Sequence, residues 1–242
     1  FDLDGTLVET EQLKAESYAR AAVQLKPGAF SEADAIFAFE DFVGGSREEV
    51  SKGMLQRFGL EDSARIRMAE FGASEPWQVY TRLRLRIFEE ILADETVLKK
   101  AAWPHNIDLL NKVRAEQCKV GLATMSYCPQ VERSLRALEL EHAFEFIATR
   151  EDVENPKPDP EIYLLVAKAL GIPPGECMVV EDSAAGVRAG LAAGSLVLAV
   201  ATPLTHRKLH ESGLLDNHHI VDNPSALQET IVHLMAHHNQ NH

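Results

Sequence analysis

The chain has 242 residues, with 24 Lys and Arg against 37 Asp and Glu, which gives a formal net charge of −13. This length is sufficient for one large domain or two modest domains with buried cores. The charge argues against DNA, RNA and acidic membrane surfaces as partners, because binding to polyanions rests largely on Lys and Arg side chains. The negative net charge is still compatible with one small cationic pocket that binds a phosphate group.

The cysteines and the apolar stretches bear on the environment of the protein. Cys118, Cys128 and Cys177 are odd in number and lack zinc-type spacing, which argues against a disulfide framework and against a structural zinc site built on cysteines, and predicts a reducing, cytoplasmic compartment. The longest stretch of low polarity, residues 189–205, is shorter than the roughly 20 residues that a membrane-spanning helix needs. The sequence shows no secretory signal. Because it starts at Phe1 rather than at Met and its polar residues begin at Asp2, we expect that an upstream segment, including most of a first strand, has been lost.

The first predicted elements are the end of a strand and a helical insert. Residues 13–99 show helical periodicity without a convincing strand, and the apolar positions between 83 and 92 predict a long, partly buried helix. Pro104 and its neighbours mark the return to a different pattern. We therefore predict an all-helical segment that is inserted after the first strand.

Beyond this insert, short apolar runs alternate with helical stretches, which predicts a parallel sheet with crossover helices. The terminal stretch 233–242 carries several histidines without the spacing of a structural metal site, so we predict a frayed terminal helix there. The predicted strands are 119–123, 144–148, 177–180, 196–200 and 219–221, and the predicted helices are 129–138, 160–170, 184–193 and 205–212.

Two aspartates stand at the start of the chain. If Phe1 and Leu3 end a buried strand, Asp2 and Asp4 both emerge near its carboxyl end, where open α/β sheets bind ligands. Two close carboxylates repel each other, and a divalent cation resolves that conflict. Gly5 allows the chain to turn sharply out of the sheet. An acidic strand end that caps a helix is the alternative, which suits one aspartate better than two.

Polar side chains also follow the later strands. Glu181 and Asp182 offer the oxygen ligands that Mg²⁺ prefers, although Asp182 also fits the start of the next helix. Thr124 and Ser126 can hold a phosphate oxygen, although a threonine at this place is more often a helix cap. Lys157 stands between two prolines that restrict its backbone, which suits a lysine that neutralises a phosphate or a carboxylate.

In the order acid, hydroxyl, lysine, acid, these clusters resemble the four motifs of the haloacid dehalogenase-like hydrolase superfamily. The resemblance spans essentially the whole chain, and it is to the phosphatases and phosphomutases that carry a helical cap. Residues 181–183 and 44–49 look like the β-phosphoglucomutase-like branch. The resemblance implies an α/β fold with a Rossmann-like, doubly wound parallel sheet core at 1–12 and 100–242, and an inserted all-helical cap domain at 13–99.

The resemblance also implies roles for the acidic residues. Asp2 is expected to be the nucleophile that forms an aspartyl-phosphate, and Asp4 the general acid and base. Asp2 and the backbone carbonyl of Asp4 are expected to bind Mg²⁺ together with Asp182, and Glu181 is expected to act as a direct ligand or behind the ligands. These roles fit the chemistry, because a carboxylate is a weak nucleophile that a neighbouring cation must shield from an anionic phosphate.

Thr124 and Lys157 are expected to hold the transferring phosphoryl group, with Ser126 as a further phosphate- or substrate-binding residue. In the cap, Ser46 and Arg47 are expected to face the non-reacting end of the substrate, where the guanidinium of Arg47 can grip a second anion. An exposed arginine at a helix start is an equal alternative for Arg47. One of three further arginines is also a candidate for the pocket, and the sequence does not decide among Arg82, Arg84 and Arg86.

Two departures from the β-phosphoglucomutase pattern bear on the reaction. Thr6 stands where valine is typical and favours hydrolysis over mutase chemistry, and Lys14 stands where histidine is typical. Asp4 argues against carbon–halogen cleavage, because true dehalogenases lack this second aspartate. We predict a Mg²⁺-dependent phosphatase, monomeric, that acts on a small phosphorylated metabolite in the class of sugar phosphates. A phosphomutase is the first alternative, and a non-catalytic module that binds a phosphometabolite is the second.

Overall fold

The structure, a computed structural model, describes residues 1–43 and 45–238. The chain divides into two compact units, of which one comprises Phe1–Glu9 and the residues from Leu98 onward and the other comprises Thr10–Val97. The predicted terminal helix is present as far as His238, and residues 239–242 lie outside the described part. Within the described ranges, no helix combines the length and the apolar character needed to cross a membrane.

In the described part of the unit Thr10–Val97, all regular secondary structure is helical. Ser31 and Ser46 each start a helix with a capping box, in which the serine oxygen accepts a backbone N–H and the carboxylate three residues later accepts the serine N–H. The helices are α1 (Thr10–Leu25), α2 (Glu32–Phe39), α3 (Arg47–Phe58), α4 (Glu61–Ile66), α5 (Met68–Phe71), α6 (Pro76–Leu92) and α7 (Glu95–Lys100), the last of which continues into the other unit.

Helix α6 is the central helix of this unit. It packs against α1, α3 and α4, and its apolar positions at helical spacing are buried. The hydroxyl of Tyr80 donates to the backbone carbonyl of Tyr18 at 2.7 Å, so the buried ring has a partner for its polar atom. The long helix that the sequence predicts over this region is therefore present.

The other unit, Phe1–Glu9 with the residues from Leu98 onward, contains all the strands of the described chain, and they lie in the predicted places. Each begins within two residues of its predicted start, because the apolar runs that identify strands extend slightly beyond the regular hydrogen bonding. The strands are β1 (Gly121–Ala123), β2 (Phe146–Ala148), β3 (Met178–Glu181), β4 (Leu196–Val200) and β5 (Ile220–Val221). The helices are α8 (Pro104–Ala115), α9 (Cys128–Ala137), α10 (Glu161–Leu170), α11 (Ala184–Ala192), α12 (His206–Glu211) and α13 (Leu227–His238).

Residues 1–3 connect two groups of parallel strands. Strand β1 pairs with β2, and β3 pairs with β4, which pairs with β5. Ala123 donates its N–H to the carbonyl of Phe1 at 2.8 Å, and Asp2 donates to the carbonyl of Val180 at 3.0 Å. The predicted first strand is thus too short to form a regular ladder, but it lies between β1 and β3 and completes the layer.

The sheet is covered on both faces. Val179 and Val197 belong to one buried cluster with residues of α10 and α11, whereas Val180 and Leu198 belong to another with residues of α8 and α13. This alternation follows from the period of two residues in a strand. Helices on both faces of a parallel sheet are the doubly wound α/β arrangement that the sequence predicts.

Candidate active site

The predicted site residues of the unit with the sheet gather at the carboxyl edge of the sheet. Asp2 and Asp4 lie at the end of the first strand segment, Thr124 follows β1, and Asp182 follows β3. Lys157 reaches the same edge from the loop before α10. Parallel strands end on one side, so residues far apart in sequence meet there.

Lys157 is the cation at the centre of this group. Its Nζ donates to Oδ1 of Asp2 at 2.6 Å, to Oε1 of Glu181 at 2.7 Å and to the carbonyl oxygen of Ala123 at 2.9 Å. The Lys157 side chain is 5% exposed, so all three donors of the ammonium group are satisfied inside the protein. The two carboxylates hold the pKa of Lys157 well above its usual range, although burial alone would lower it.

Glu181 accepts five hydrogen bonds and is 1% exposed. Its Oε1 accepts from Lys157 and from the hydroxyl of Tyr163 at 2.9 Å. Its Oε2 accepts from the backbone N–H groups of Asp182 and Ser183 and from the Ser183 hydroxyl. With both oxygens engaged in this way, the geometry favours Glu181 as a residue that orients Lys157 and the start of α11 over a direct ligand of a metal.

Tyr163 is the residue of this group that sequence reasoning missed. Its ring is buried, and Nζ of Lys157 lies 4.8 Å from the ring centroid. Tyr163 lies on the apolar side of a predicted helix, so the sequence pattern predicts only a buried core residue. The available signal was its hydroxyl, since a buried tyrosine needs a hydrogen-bond partner.

The carboxylates are short of compensating positive charge. Burial raises the pKa of Asp2 to about 7, with Lys157 acting against the rise and Glu181 and Asp4 adding to it. For Glu181, burial alone would raise the pKa, but Lys157 and the hydrogen bonds hold it below the usual value. The positive charge of Lys157 alone thus has to balance the negative charges of several carboxylates. A divalent cation would supply the missing charge, and oxygen ligands suit Mg²⁺.

The loop at Gly5 brings further oxygen atoms together. Carboxylate oxygens of Asp2, Glu181 and Asp182 all lie within 4.8 Å of one another, which is compatible with a shared cation. Gly5 has φ +85°, and a Cβ atom there would lie 2.2 Å from Oδ2 of Asp182. Only glycine therefore permits both this turn and the close approach of Asp182.

The two hydroxyls after β1 have different surroundings. The hydroxyl of Ser126 donates to Oδ2 of Asp4, so it orients the predicted acid and base. Thr124 is fully buried, its N–H donates to the carbonyl of Ala148, and its Oγ1 accepts the N–H of Ser126 at 3.1 Å. Within the described residues, the Thr124 hydroxyl proton has no acceptor, so it can be donated to a phosphate oxygen.

The candidates in the helical unit are Ser46, Arg47 and one of three arginines. Ser46 caps α3, with its Oγ 3.2 Å from the N–H of Glu49, and Arg47 is exposed at the first position of that helix. Arg84 is 5% exposed and lies over the rings of Tyr18 and Phe88 at 4.5 and 5.1 Å.

Arg84 differs from its neighbours because the described part of the chain provides it with no ion pair and no hydrogen bond, and its Nε is buried without a partner. Arg82 donates to the carbonyls of Phe71 and Gly72, and Arg86 lies over the ring of Phe71. Arg82 and Arg86 are four residues apart, so they lie on one side of α6, where both contact Phe71; Arg84 lies on another side and is the only one of the three that is buried.

Comparison with known proteins decides the family. Residues 1–194 match the haloacid dehalogenase-like hydrolases. The chain belongs to this family. A phosphorylated carbohydrates phosphatase of Thermotoga maritima is 30% identical to the hydrolase over 201 residues, which cover 80% of each chain. A phosphoglycolate phosphatase of Salmonella typhimurium is 30% identical over 202 residues, which cover 80% of this chain and 77% of the relative.

A solved structure supports the fold. The hydrolase superposes on a β-phosphoglucomutase of Clostridium difficile with a TM-score of 0.68 and 23% sequence identity, over 98% of this chain and 97% of the other. The predicted family, fold and enzyme class are confirmed, since the protein is a haloacid dehalogenase-like hydrolase with relatives named as phosphatases.

Proposed function

We propose that this hydrolase is a Mg²⁺-dependent phosphatase that cleaves a small phosphorylated metabolite in the class of sugar phosphates. The observation that carries the proposal is the buried ion pair of Asp2 and Lys157, in which the carboxylate that we propose as the nucleophile lies beside a cation at the edge where α/β folds bind ligands. A relative named as a phosphoglycolate phosphatase supports a small phosphorylated substrate, and one named as a phosphorylated carbohydrates phosphatase supports the sugar-phosphate class.

The metal would be held by Asp2, by the backbone carbonyl of Asp4 and by Asp182, with Glu181 behind them. When bound, Mg²⁺ supplies positive charge that lessens the repulsion between a carboxylate and a phosphate. The surplus of buried carboxylates over cations is the feature that fits this ion.

In the proposed reaction, one oxygen of Asp2 attacks phosphorus and the bond from phosphorus to the leaving oxygen breaks. Asp4, protonated at this stage, gives its proton to the leaving oxygen. It then accepts a proton from the water that attacks the aspartyl-phosphate, so that phosphate leaves and Asp2 is restored. Lys157 supplies positive charge beside the phosphoryl group and can turn toward it the donor that Asp2 receives in this structure, the hydroxyl of Thr124 donates to a phosphoryl oxygen, and Ser126 keeps Asp4 oriented through the hydrogen bond to Oδ2.

We assign recognition of the rest of the substrate to the helical unit, which we propose is the cap. Arg84 is a buried cation without a carboxylate partner among the described residues, and such a charge is costly unless it is paired. A second anionic group on the substrate would pair with it, and Arg47 is the second candidate for this role. The cytoplasmic location and the monomeric state stay predictions; the three cysteines are free.

The experiment is a screen of sugar phosphates and phosphoglycolate for release of inorganic phosphate, with Mg²⁺ and with a chelator. We expect release that requires Mg²⁺ and that Asp2→Asn abolishes, because an amide cannot attack phosphorus. Asp108→Asn is the control, since Asp108 is exposed on α8. Full activity of Asp2→Asn, or full activity in the chelator, would contradict the proposal.

A phosphomutase remains the alternative to be tested, because Ser46 and Arg47 preserve part of the mutase pattern. The protein is incubated with β-glucose 1-phosphate and a trace of glucose 1,6-bisphosphate, and glucose 6-phosphate and free phosphate are both followed. We expect phosphate release to dominate. Isomerisation much faster than phosphate release would overturn the assignment as a phosphatase and leave Asp2 as the nucleophile.

A further inference from the structure

We propose that His206, His210 and Asp222 form a binding site for a transition-metal cation of the Zn²⁺ type. The three side chains converge, with Nε2 of His210 at 2.9 Å and Nε2 of His206 at 3.5 Å from the same oxygen, Oδ1 of Asp222. Their ligand atoms all lie within 4.8 Å of one another. None of the three residues takes part in the candidate active site.

These distances fit a metal coordination sphere. A tetrahedral ion with bonds of about 2.0–2.1 Å separates its ligand atoms by about 3.3 Å, which lies between the two distances in the structure. His206 and His210 are four residues apart on α12, so both rings project from one face of the helix, and their centroids are 4.6 Å apart. A single hydrogen bond from His210 to Asp222 would not require the second imidazole to approach the same oxygen.

The chemistry of the three ligands selects the class of cation. Two imidazoles and one carboxylate suit Zn²⁺, Co²⁺, Ni²⁺ and Cu²⁺, whereas Mg²⁺ and Ca²⁺ prefer a full set of oxygen ligands. Three protein ligands leave one position of a tetrahedral ion for water or for another small ligand. The site therefore differs in selectivity from the carboxylate cluster that contains Asp2.

Both elements that carry the ligands are firmly attached to the core. Thr202 and Thr205 are buried and bond to each other through both hydroxyls and backbone N–H groups, which fixes the start of α12. Leu209 of this helix is 2% exposed. Asp222 directly follows β5, where Ala201 donates to the carbonyl of Val221 at 2.9 Å. The ligands are therefore positioned before any ion binds, which lowers the cost of binding.

The test is a calorimetric titration of the full chain with Zn²⁺, in the presence of excess Mg²⁺ that occupies sites made only of oxygen. We expect the parent protein to bind one equivalent more than His206→Gln and one more than His210→Gln. Asp222→Asn keeps the shape and is expected to weaken the same equivalent. The histidines are partly exposed, at 55% and 28%, so the variants should fold, which circular dichroism verifies.

Histidines near the end of the chain provide the matched control. The variant His237→Gln/His238→Gln should retain the equivalent that His206→Gln loses. With Cu²⁺ as a probe, the electron paramagnetic resonance spectrum of this control should show coupling to two imidazole nitrogens, and further substitution of His210 should remove it. Equal stoichiometry in the parent and in both α12 variants, or loss of the equivalent only in the control, would overturn the proposal.

Discussion

At the scale of single residues, Lys157 and Glu181 organise the candidate active site. Nζ of Lys157 donates hydrogen bonds to Asp2 and to Glu181, and Glu181 also accepts one from the hydroxyl of Tyr163. Removing one member of such a group leaves a buried charge without its partner, which costs more than the missing contact itself. A backbone that is restricted by the flanking prolines suits Lys157, because its ammonium group has to meet Asp2 and Glu181 at the same time.

Replacement of Gly5 by alanine tests the approach of Asp182. The new Cβ would lie 2.2 Å from Oδ2 of Asp182, so we expect Gly5→Ala to displace this ligand and to lower kcat/KM by roughly 100-fold. Gly194→Ala is the matched control, because Gly194 has a similar φ of +82° and no atom within 4 Å of its added Cβ. Both variants carry backbone strain of about 1–2 kcal/mol in the free energy of unfolding, and only Gly5→Ala carries the collision. Equal loss of activity in the two variants would contradict the explanation.

The titration of Asp2 predicts how stability depends on pH without metal. Its pKa is about 7 in the folded protein and 3.8 as a reference for the unfolded chain, so unfolding releases a proton between these values. The contribution of Asp2 to the free energy of unfolding of the metal-free protein should therefore fall as the pH rises from about 5 to about 7. Glu181, whose folded pKa is lowered, acts in the opposite direction and only below its usual value of 4.5.

Urea denaturation in a chelator over this pH range measures the effect. We expect Asp2→Asn to flatten the slope, because the amide does not titrate, while Asp108→Asn leaves the slope as it is in the parent. The same slope in all three proteins would mean that Asp2 is not the group responsible.

At the scale of elements, two helices of the helical unit begin in the same way. Helix α2 starts with Ser31 and Asp34, and α3 with Ser46 and Glu49, each as a reciprocal capping box. This local function is sufficient to explain why a serine stands at position 46. The proposed contact of Ser46 with substrate is an additional role that the cap alone does not require.

The pair of caps gives an internal control for that role. Ser31→Ala and Ser46→Ala should each lower the free energy of unfolding by about 1 kcal/mol, because each removes one N-cap. If Ser46 also contacts substrate, only Ser46→Ala should raise KM. Thermal unfolding measures the first effect and steady-state kinetics the second. An unchanged KM in Ser46→Ala would mean that Ser46 acts only as the N-cap of α3.

At the scale of the whole molecule, the proposed metal ligands all come from one unit. Asp2, Asp4 and Asp182 belong to the unit with the sheet, and Thr10–Val97 contributes none of them. A ligand stabilises the part of a protein that binds it, by about 2.7 kcal/mol when its concentration is 100 times the Kd. The effect of Mg²⁺ should therefore be unequal between the units.

Hydrogen exchange followed by mass spectrometry tests this expectation. Mg²⁺ should slow amide exchange in peptides that contain residues 2–8 and 179–187, and should leave the exchange of peptides within 10–97 nearly unchanged. Asp182→Asn should remove the protection. Equal protection of both units in the absence of substrate would argue against a metal site built only from the unit that contains the sheet.

The sequence by itself determined the order of elements and the positions of the main polar clusters. Apolar runs and helical spacing are local properties, so the strands at 196–200 and 220–221 and the helix at 161–170 could be placed without the fold. Asp2 and Asp182 could be paired in advance, because the carboxyl ends of parallel strands lie at one edge of a sheet.

Only the tertiary structure decided which atoms meet at that edge. Lys157 contacts Asp2 across 155 positions of the chain, the hydroxyl of Tyr163 donates to Glu181, and the hydroxyl of Ser126 donates to Asp4. Such contacts depend on the packing of a loop or a helix against the sheet, and the spacing of residues along the chain carries no record of that packing. The burial of Arg84 has the same origin, because the neighbours that cover one arginine of a helix come from other helices.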